Sequence, residues 1–145
     1  MKIDIYYHDK FKFSFEKELS EIYIKRLNSI SKKIFSSISV KKIDFEILKK
    51  VIKEHYKKSY LVFLDEKGEK LSSKELSKFI FSKSNKNLIF FIGGTDGFSS
   101  EILKYADLSL SLSKMTFTHS FALIFLLEQI YRSATIKINH PYHRE

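Results

Sequence analysis

Hydrophobic and polar positions alternate along this chain in two periods, and the alternation between them outlines a fold. Lys2 to His8 sets Ile3 and Ile5 among polar neighbours and predicts a first strand. Phe15 to Phe35 carries Leu19, Ile22, Tyr23, Leu27, Ile30 and Ile34 at helical spacing and predicts an amphipathic helix. Lys42 to Leu48 reads as a second strand, followed by a short basic helix near Lys49 to Lys57. Tyr60 to Leu64 and Leu88 to Ile92 are short apolar runs bounded by polar or glycine-containing turns, the pattern of strands buried on both faces. Between them a helix opens at Ser72 or Ser73, with Glu75 placed to complete its cap, and ends in the Ser82 to Asn85 turn. Leu108, Leu110 and Leu112 alternate as a strand would, and a Ser/Thr-rich turn then leads into an apolar helix bearing Glu128, Gln129, Tyr131 and Arg132. A polar tail with the chain's single proline follows. Strands alternating with helices imply an α/β fold, a mainly parallel sheet flanked by helices, in one domain over residues 1–145.

On the last helix Phe121, Ile124, Phe125, Leu127 and Ile130 spread too widely for a single core stripe. A second buried face is implied, which reads as a dimer interface.

Composition narrows the function classes. The chain of 145 residues is 43% hydrophobic with four glycines, so it carries continuous regular structure and not disorder. No apolar run approaches the roughly 20 residues of a membrane span, charge interrupts MKIDIYYHDK before a signal-peptide core forms, and a cytoplasmic protein is expected. Without cysteine there is no thiolate or disulfide chemistry. The net charge of +9 is uneven: residues 1–86 carry 21 Lys and Arg against 12 Asp and Glu, residues 87–145 five against five. A basic surface of this kind attracts RNA phosphates; a Lys-rich, Arg-poor, Ile/Phe/Ser-rich composition also arises from compositional drift. Of three arginines, Arg132 and Arg144 fall in the C-terminal block, where a planar fork can grip phosphate, although Arg132 alone would equally suit the end of a helix.

In parallel sheets ligands gather at the carboxyl ends of the strands. Here that edge collects the loop after Leu64, the loop of Gly93, Gly94 and Gly97, and the Ser111 to Phe117 turn. IGGTDG matches neither a dinucleotide fingerprint nor a P-loop, so it is either a ligand-approach loop or a tight strand-to-helix turn. His140 and His143 lie three apart without a carboxylate or cysteine cluster to complete a metal site, and no metal is expected. His119 reads as packing or capping near the start of the last helix.

The words LVFLDEKG, SSKEL, FFIGGTDG, SLSKMTFTH, LLEQIYR and NHPYHRE, in this order from Leu61 to the end, resemble the ribosomal RNA large subunit methyltransferase H family, pseudouridine N3-methyltransferases of the knotted SPOUT class. The resemblance implies a C-terminal trefoil knot, a homodimer in which the tail of one subunit completes the site of the other, and S-adenosylmethionine as methyl donor. Matching positions would place its contacts at Leu64, Gly94, Leu112, Ser113, Lys114, Met115, Thr116 and Phe117. The implied substrate is a pseudouridine of large-subunit ribosomal RNA in the assembled ribosome. Methylating an imide nitrogen requires loss of its proton, and imidazole suits that transfer near neutral pH, which makes His143 a candidate proton acceptor. Tyr142 would stack on or hydrogen-bond to the base, and Arg144 would grip a phosphate or developing charge. A solvated, frayed end is the other reading of this tail. Two positions depart from the family pattern: Leu123 stands where arginine is usual and Thr118 where proline is, so a charge contact is expected to be missing. A non-catalytic ribosome- or RNA-binding module that keeps the fold, and an enzyme acting on a small nucleotide or free metabolite, are the alternative functions.

Overall fold

The computed structural model describes residues 1–32 and 34–144. Five strands, β1 (Lys2–Tyr7), β2 (Ser37–Lys42), β3 (Tyr60–Lys70), β4 (Leu88–Ile92) and β5 (Leu108–Ser111), form one sheet in the order β2-β1-β4-β3-β5, with every pairing parallel. Five helices connect and cover them: α1 (Ser14–Ser31), α2 (Phe45–His55), α3 (Ser73–Ser82), the short α4 (Ser100–Leu103) and α5 (His119–Lys137).

The sheet is covered on both sides, as a parallel sheet must be. Ile3, Ile5, Val62, Leu88, Phe90 and Leu110 share one face with Leu27 of α1, Leu76 and Ile80 of α3, and Leu126, Leu127 and Ile130 of α5. Leu61, Phe63, Ile89 and Phe91 point to the other, against Leu48, Val51 and Ile52 of α2 and Ile102 of α4. Strand β4, in the middle, is buried along its whole length, which is why it reads as an uninterrupted apolar run.

Several expected boundaries are met closely and others move. Helix α3 has the anticipated cap: Ser72 Oγ accepts from Glu75 N at 3.2 Å, and a Glu75 carboxylate oxygen accepts from Ser72 N at 2.7 Å. That second bond, with the Ser72 hydroxyl, holds the Glu75 carboxyl below its ordinary range. The second strand is Ser37–Lys42, not Lys42 to Leu48, because Asp44 caps a helix whose first turn already begins at Phe45, its Oδ1 accepting from Ile47 N at 2.8 Å. Ile43 and Leu48 are then core residues of the loop and helix. The first helix ends at Ser31, and of its supposed core stripe Leu19 and Ile22 are exposed while Leu27 is buried.

Strand β3 also runs further than expected. Its pairing with β5 holds through Leu64↔Leu110, slips, and resumes at Glu69↔Leu110, so Asp65 to Gly68 bulge out of the ladder. The chain returns to β5 at Gly68, where a Cβ would lie 2.6 Å from the Ser109 carbonyl carbon and oxygen and 2.8 Å from Leu110 N. Only glycine lets two backbones approach so closely. Gly68→Ala is therefore expected to cost about 2 kcal/mol, read as a lower urea midpoint with unchanged slope.

Candidate active site

The bulge of β3 and three loops meet at the carboxyl edge of the sheet. The bulge and the loops after β4 and β5, with the start of α5, enclose a cavity of about 470 Å³. Its apolar wall comes from Leu64, Ile92, Leu110, Leu112, Phe117 and Ala122, and Asp65, Glu66 and Asp96 contribute carboxylates. The loop after β1 reaches the same edge: a Cβ on Gly94 would meet the Asp9 carboxylate oxygen at 2.6 Å.

Local chemistry shapes each loop. In IGGTDG, Gly97 N donates to Gly94 O at 3.0 Å and Gly97 has φ +66°, while a Cβ on Gly93 would press on the Gly97 backbone at 3.0 Å. The sequence is thus a tight turn and a wall of the cavity at once. After β5, the buried Ser111 donates its hydroxyl to Ser113 O at 2.8 Å, and Ser113 Oγ accepts from Met115 N at 3.0 Å, so the serines fold the turn on itself. Thr118 ends the turn and caps α5, its Oγ1 accepting from Phe121 N at 3.3 Å. His119 lies at the cavity edge with Nδ1 3.8 Å from Asp9 Oδ2, a contact that joins the β1 loop to α5.

Of the eight residues expected to hold the cofactor, Leu64, Gly94, Leu112, Ser113, Met115, Thr116 and Phe117 line this cavity. Lys114 is exposed and does not. Sequence reading passed over Asp9, which no motif marks, and Asp65, which sits at the cavity because of the β3 bulge.

Tyr142, His143 and Arg144 are not in the cavity wall of their own chain. Asn139, in the left-handed region at φ +56°, ends α5: its N–H donates to Ile136 O at 3.2 Å, and His140 N donates to Thr135 O at 2.9 Å. That pair of bonds is a Schellman reversal, and Pro141 prevents the helix from resuming. The tail folds back on α5. Tyr142 Oη donates to Glu128 Oε1 at 2.9 Å, its ring meets Tyr131 edge-on at 4.8 Å, and the Arg132 guanidinium covers it at 4.8 Å. Arg132 Nε also donates to Glu128 Oε1 at 3.1 Å, and Nη1 lies 3.3 Å from His143 Nδ1. Burial, followed by the hydrogen bonds to Glu128 and Tyr23, pushes the Tyr142 hydroxyl well above its ordinary range, so it remains a proton donor. The His140 ring stays within the tail, its Nδ1 accepting from Tyr142 N at 3.2 Å. Among the described residues no group of three or more His, Asp or Glu is placed to hold a metal.

A family model described as predicted SPOUT methyltransferase matches residues 1–143. The ribosomal RNA large subunit methyltransferase H of Campylobacter jejuni subsp. doylei is 40% identical over 99% of this chain and 100% of its own length. That of Dictyoglomus thermophilum is also 40% identical, over 99% of each chain. Among solved structures, the A. aeolicus TrmH/SpoU tRNA modifying enzyme superposes with a TM-score of 0.54 at 13% identity, over 99% of this chain and 81% of that one. The SpoU methyltransferase AviRb from Streptomyces viridochromogenes, solved with its cofactor AdoMet, gives 0.52 at 15% identity over 94% of this chain, which spans 58% of AviRb. The match of the family model and 40% identity to the Campylobacter and Dictyoglomus proteins over nearly the full length, on a single parallel sheet with its cavity at the carboxyl edge, place this chain in the ribosomal RNA large subunit methyltransferase H family of SPOUT methyltransferases.

Proposed function

We propose that this protein is a homodimeric methyltransferase that uses S-adenosylmethionine to methylate N3 of a pseudouridine in large-subunit ribosomal RNA on the assembled ribosome, its C-terminal part forming a trefoil knot. The observation that carries the proposal is the cavity at the sheet edge, lined by seven of the eight residues the family resemblance assigns to the cofactor. Its volume suits a nucleoside-sized ligand. Leu64, Leu112 and Phe117 offer apolar walls for an adenine ring, the glycine turn offers backbone polar groups, and the carboxylates of Asp65, Glu66 and Asp96 suit a cationic ligand. Bound there, S-adenosylmethionine would supply an electrophilic methyl group.

The tail acts on the substrate side, and a second copy delivers it. Ala122 borders the cavity and Arg132 holds the tail, ten residues further along α5, or roughly 15 Å at helical rise. Phe121 and Phe125 of α5 and Phe15, Leu19 and Ile22 of α1 leave apolar side chains exposed, as an unpaired dimer face would. Part of the breadth of apolar positions on α5 has another cause, since the helix packs against both α1 and α3, which buries Ile124, Leu127 and Ile130 within the chain.

Loss of the imide proton spreads negative charge onto the flanking carbonyl oxygens, and a donor aimed at one of them stabilises it. The Arg132 guanidinium, 3.3 Å from His143 Nδ1, orients the imidazole within the tail, and His143 takes the imide proton, directly or through water, once the tail meets the substrate. Tyr142 anchors the tail to Glu128, and the exposed Arg144 reaches for phosphate.

Ribosomes lacking the modification, incubated with the protein and labelled S-adenosylmethionine, should yield methylated pseudouridine in large-subunit RNA by nucleoside mass spectrometry; cofactor binding with no transfer to ribosomes or subunits would overturn the substrate assignment. His143→Ala should slow that transfer at least about tenfold and leave cofactor affinity nearly intact, and His143→Asn, which keeps a side-chain N–H but cannot take a proton, should not recover the rate. Recovery with Asn would make His143 a hydrogen-bond donor and not the base. Gly94→Val, which forces a branched side chain onto Asp9, should reduce cofactor affinity by at least about tenfold in a folded protein. The double change Phe121→Glu and Phe125→Glu should give a folded monomer by light scattering that no longer transfers methyl groups.

A further inference from the structure

The opposite face of the sheet carries a second concavity, of about 590 Å³, between α2 and α4. Aromatic and basic side chains interleave along it. Phe45 and Tyr56 are 50% and 40% exposed, so their faces are open to a ligand. The Lys49 ammonium lies 5.0 Å above the Phe45 ring, Lys104 5.3 Å above Tyr105, and Tyr56 meets Tyr105 edge-on at 5.1 Å. Lys53 completes the basic lining, and Glu101 is the one carboxylate in it. Lys49 also pairs with Glu46 at 3.1 Å outside the groove, so its charge is only partly available. Ile52 and Ile102 close the base, leaving the rings standing at the rim and floor with lysines beside them.

We propose that this groove binds a single-stranded segment of RNA, with unstacked bases on Phe45 and Tyr56 and phosphates beside Lys53 and Lys104. Rings with flanking cations are what a flexible strand needs: every base has a face to stack, and every nucleotide a phosphate to neutralise. A folded protein partner would have less use for exposed rings interleaved with ammonium groups. The groove also adjoins the cavity through the chain itself, since Phe98 lines the cavity and the next residue, Ser99, lines the groove. A strand held between α2 and α4 is thereby led towards the site of methylation. That this strand belongs to ribosomal RNA rests on the proposed function; the groove's affinity for RNA does not.

The test uses the full-length protein and a fluorescein-labelled oligouridylate of about 12 nucleotides, a length that spans one such binding surface, followed by anisotropy over a range of salt. Wild type should bind, with affinity falling as salt rises. Phe45→Ala with Tyr56→Ala should weaken binding at least about tenfold at every salt concentration, whereas Lys53→Glu with Lys104→Glu should weaken it mainly at low salt and flatten the salt dependence. Both double variants should keep wild-type cofactor affinity, circular dichroism and oligomeric state. Absence of binding by wild type, or wild-type affinity in both folded variants, would overturn the proposal. Equal affinity for a polyglutamate of matching charge would overturn it too, in favour of an acidic protein partner. Should ribosomes fail as methyl acceptors while the variants still lose oligouridylate, the substrate assignment falls and the groove stands.

Discussion

Where β3 returns to β5, the two backbones touch with no side chain between them, and the shape of the cavity follows from that contact. Gly68 closes the bulge that throws Asp65, Glu66 and Lys67 out over the sheet edge. With β5 pinned beside it, Ser111 emerges at a fixed point, and the hydroxyls of Ser111 and Ser113 turn the chain back towards α5. A longer residue at position 68 would lift the bulge from β5 and loosen both walls together. The Gly93 to Gly97 turn forms a third wall and is nearly independent of this contact, because its own hydrogen bond and the positive φ of Gly97 define it.

How far this could be read from the sequence depended on whether one local signal dominated. Leu88 to Ile92 is buried on both faces, so its apolar run has one interpretation. Ser72 and Glu75 satisfy each other's backbone donors, and the α3 boundary is fixed by those two residues alone. Between Ser37 and His55 the signals compete: Ile38 and Val40 alternate among short polar residues, and a reading that begins at Lys42 runs a strand into residues that Asp44 has already committed to a helix. On α1 the period was right and the direction incomplete, because an apolar stripe that includes Leu19 and Ile22 is wider than α5 and the sheet together cover. Seven cavity residues were reachable through motif order, since the motifs lie at the ends of adjacent strands. Asp9 was not, as its place depends on β1 lying beside β4, a pairing between residues 85 apart in the chain that no local pattern encodes.

The tail shows how a terminal segment escapes fraying. Its reversal needs a residue tolerant of positive φ at position 139, met by Asn, and a residue that stops the helix, met by Pro141. What then holds it is a half-buried carboxylate shared between a tyrosine hydroxyl and a guanidinium, with the guanidinium lying over the tyrosine ring. A charge-assisted bond in partial burial is worth more than its exposed equivalent. Because Glu128 and Arg132 are both spent on holding Tyr142 and His143, the arginine that looked free to grip phosphate is a positioning residue, and Arg144 is the tail's exposed cation.

The two departures from the family pattern can be judged on the same physical terms. Thr118 gives up the fixed φ of proline but supplies an oxygen that accepts from the Phe121 amide, so the start of α5 keeps a stabilising device of another kind. Leu123 is 1% exposed and packs in the core among the other apolar residues of α5. An arginine there would need a buried partner for its charge, and removing a charge together with that need is commonly neutral or stabilising. Neither change opens the cavity wall: Leu123 faces the core, and Thr118 borders the cavity while its hydroxyl caps the helix. Leucine at position 123 therefore packs within the chain's own core and is not among the groups that surround the cavity.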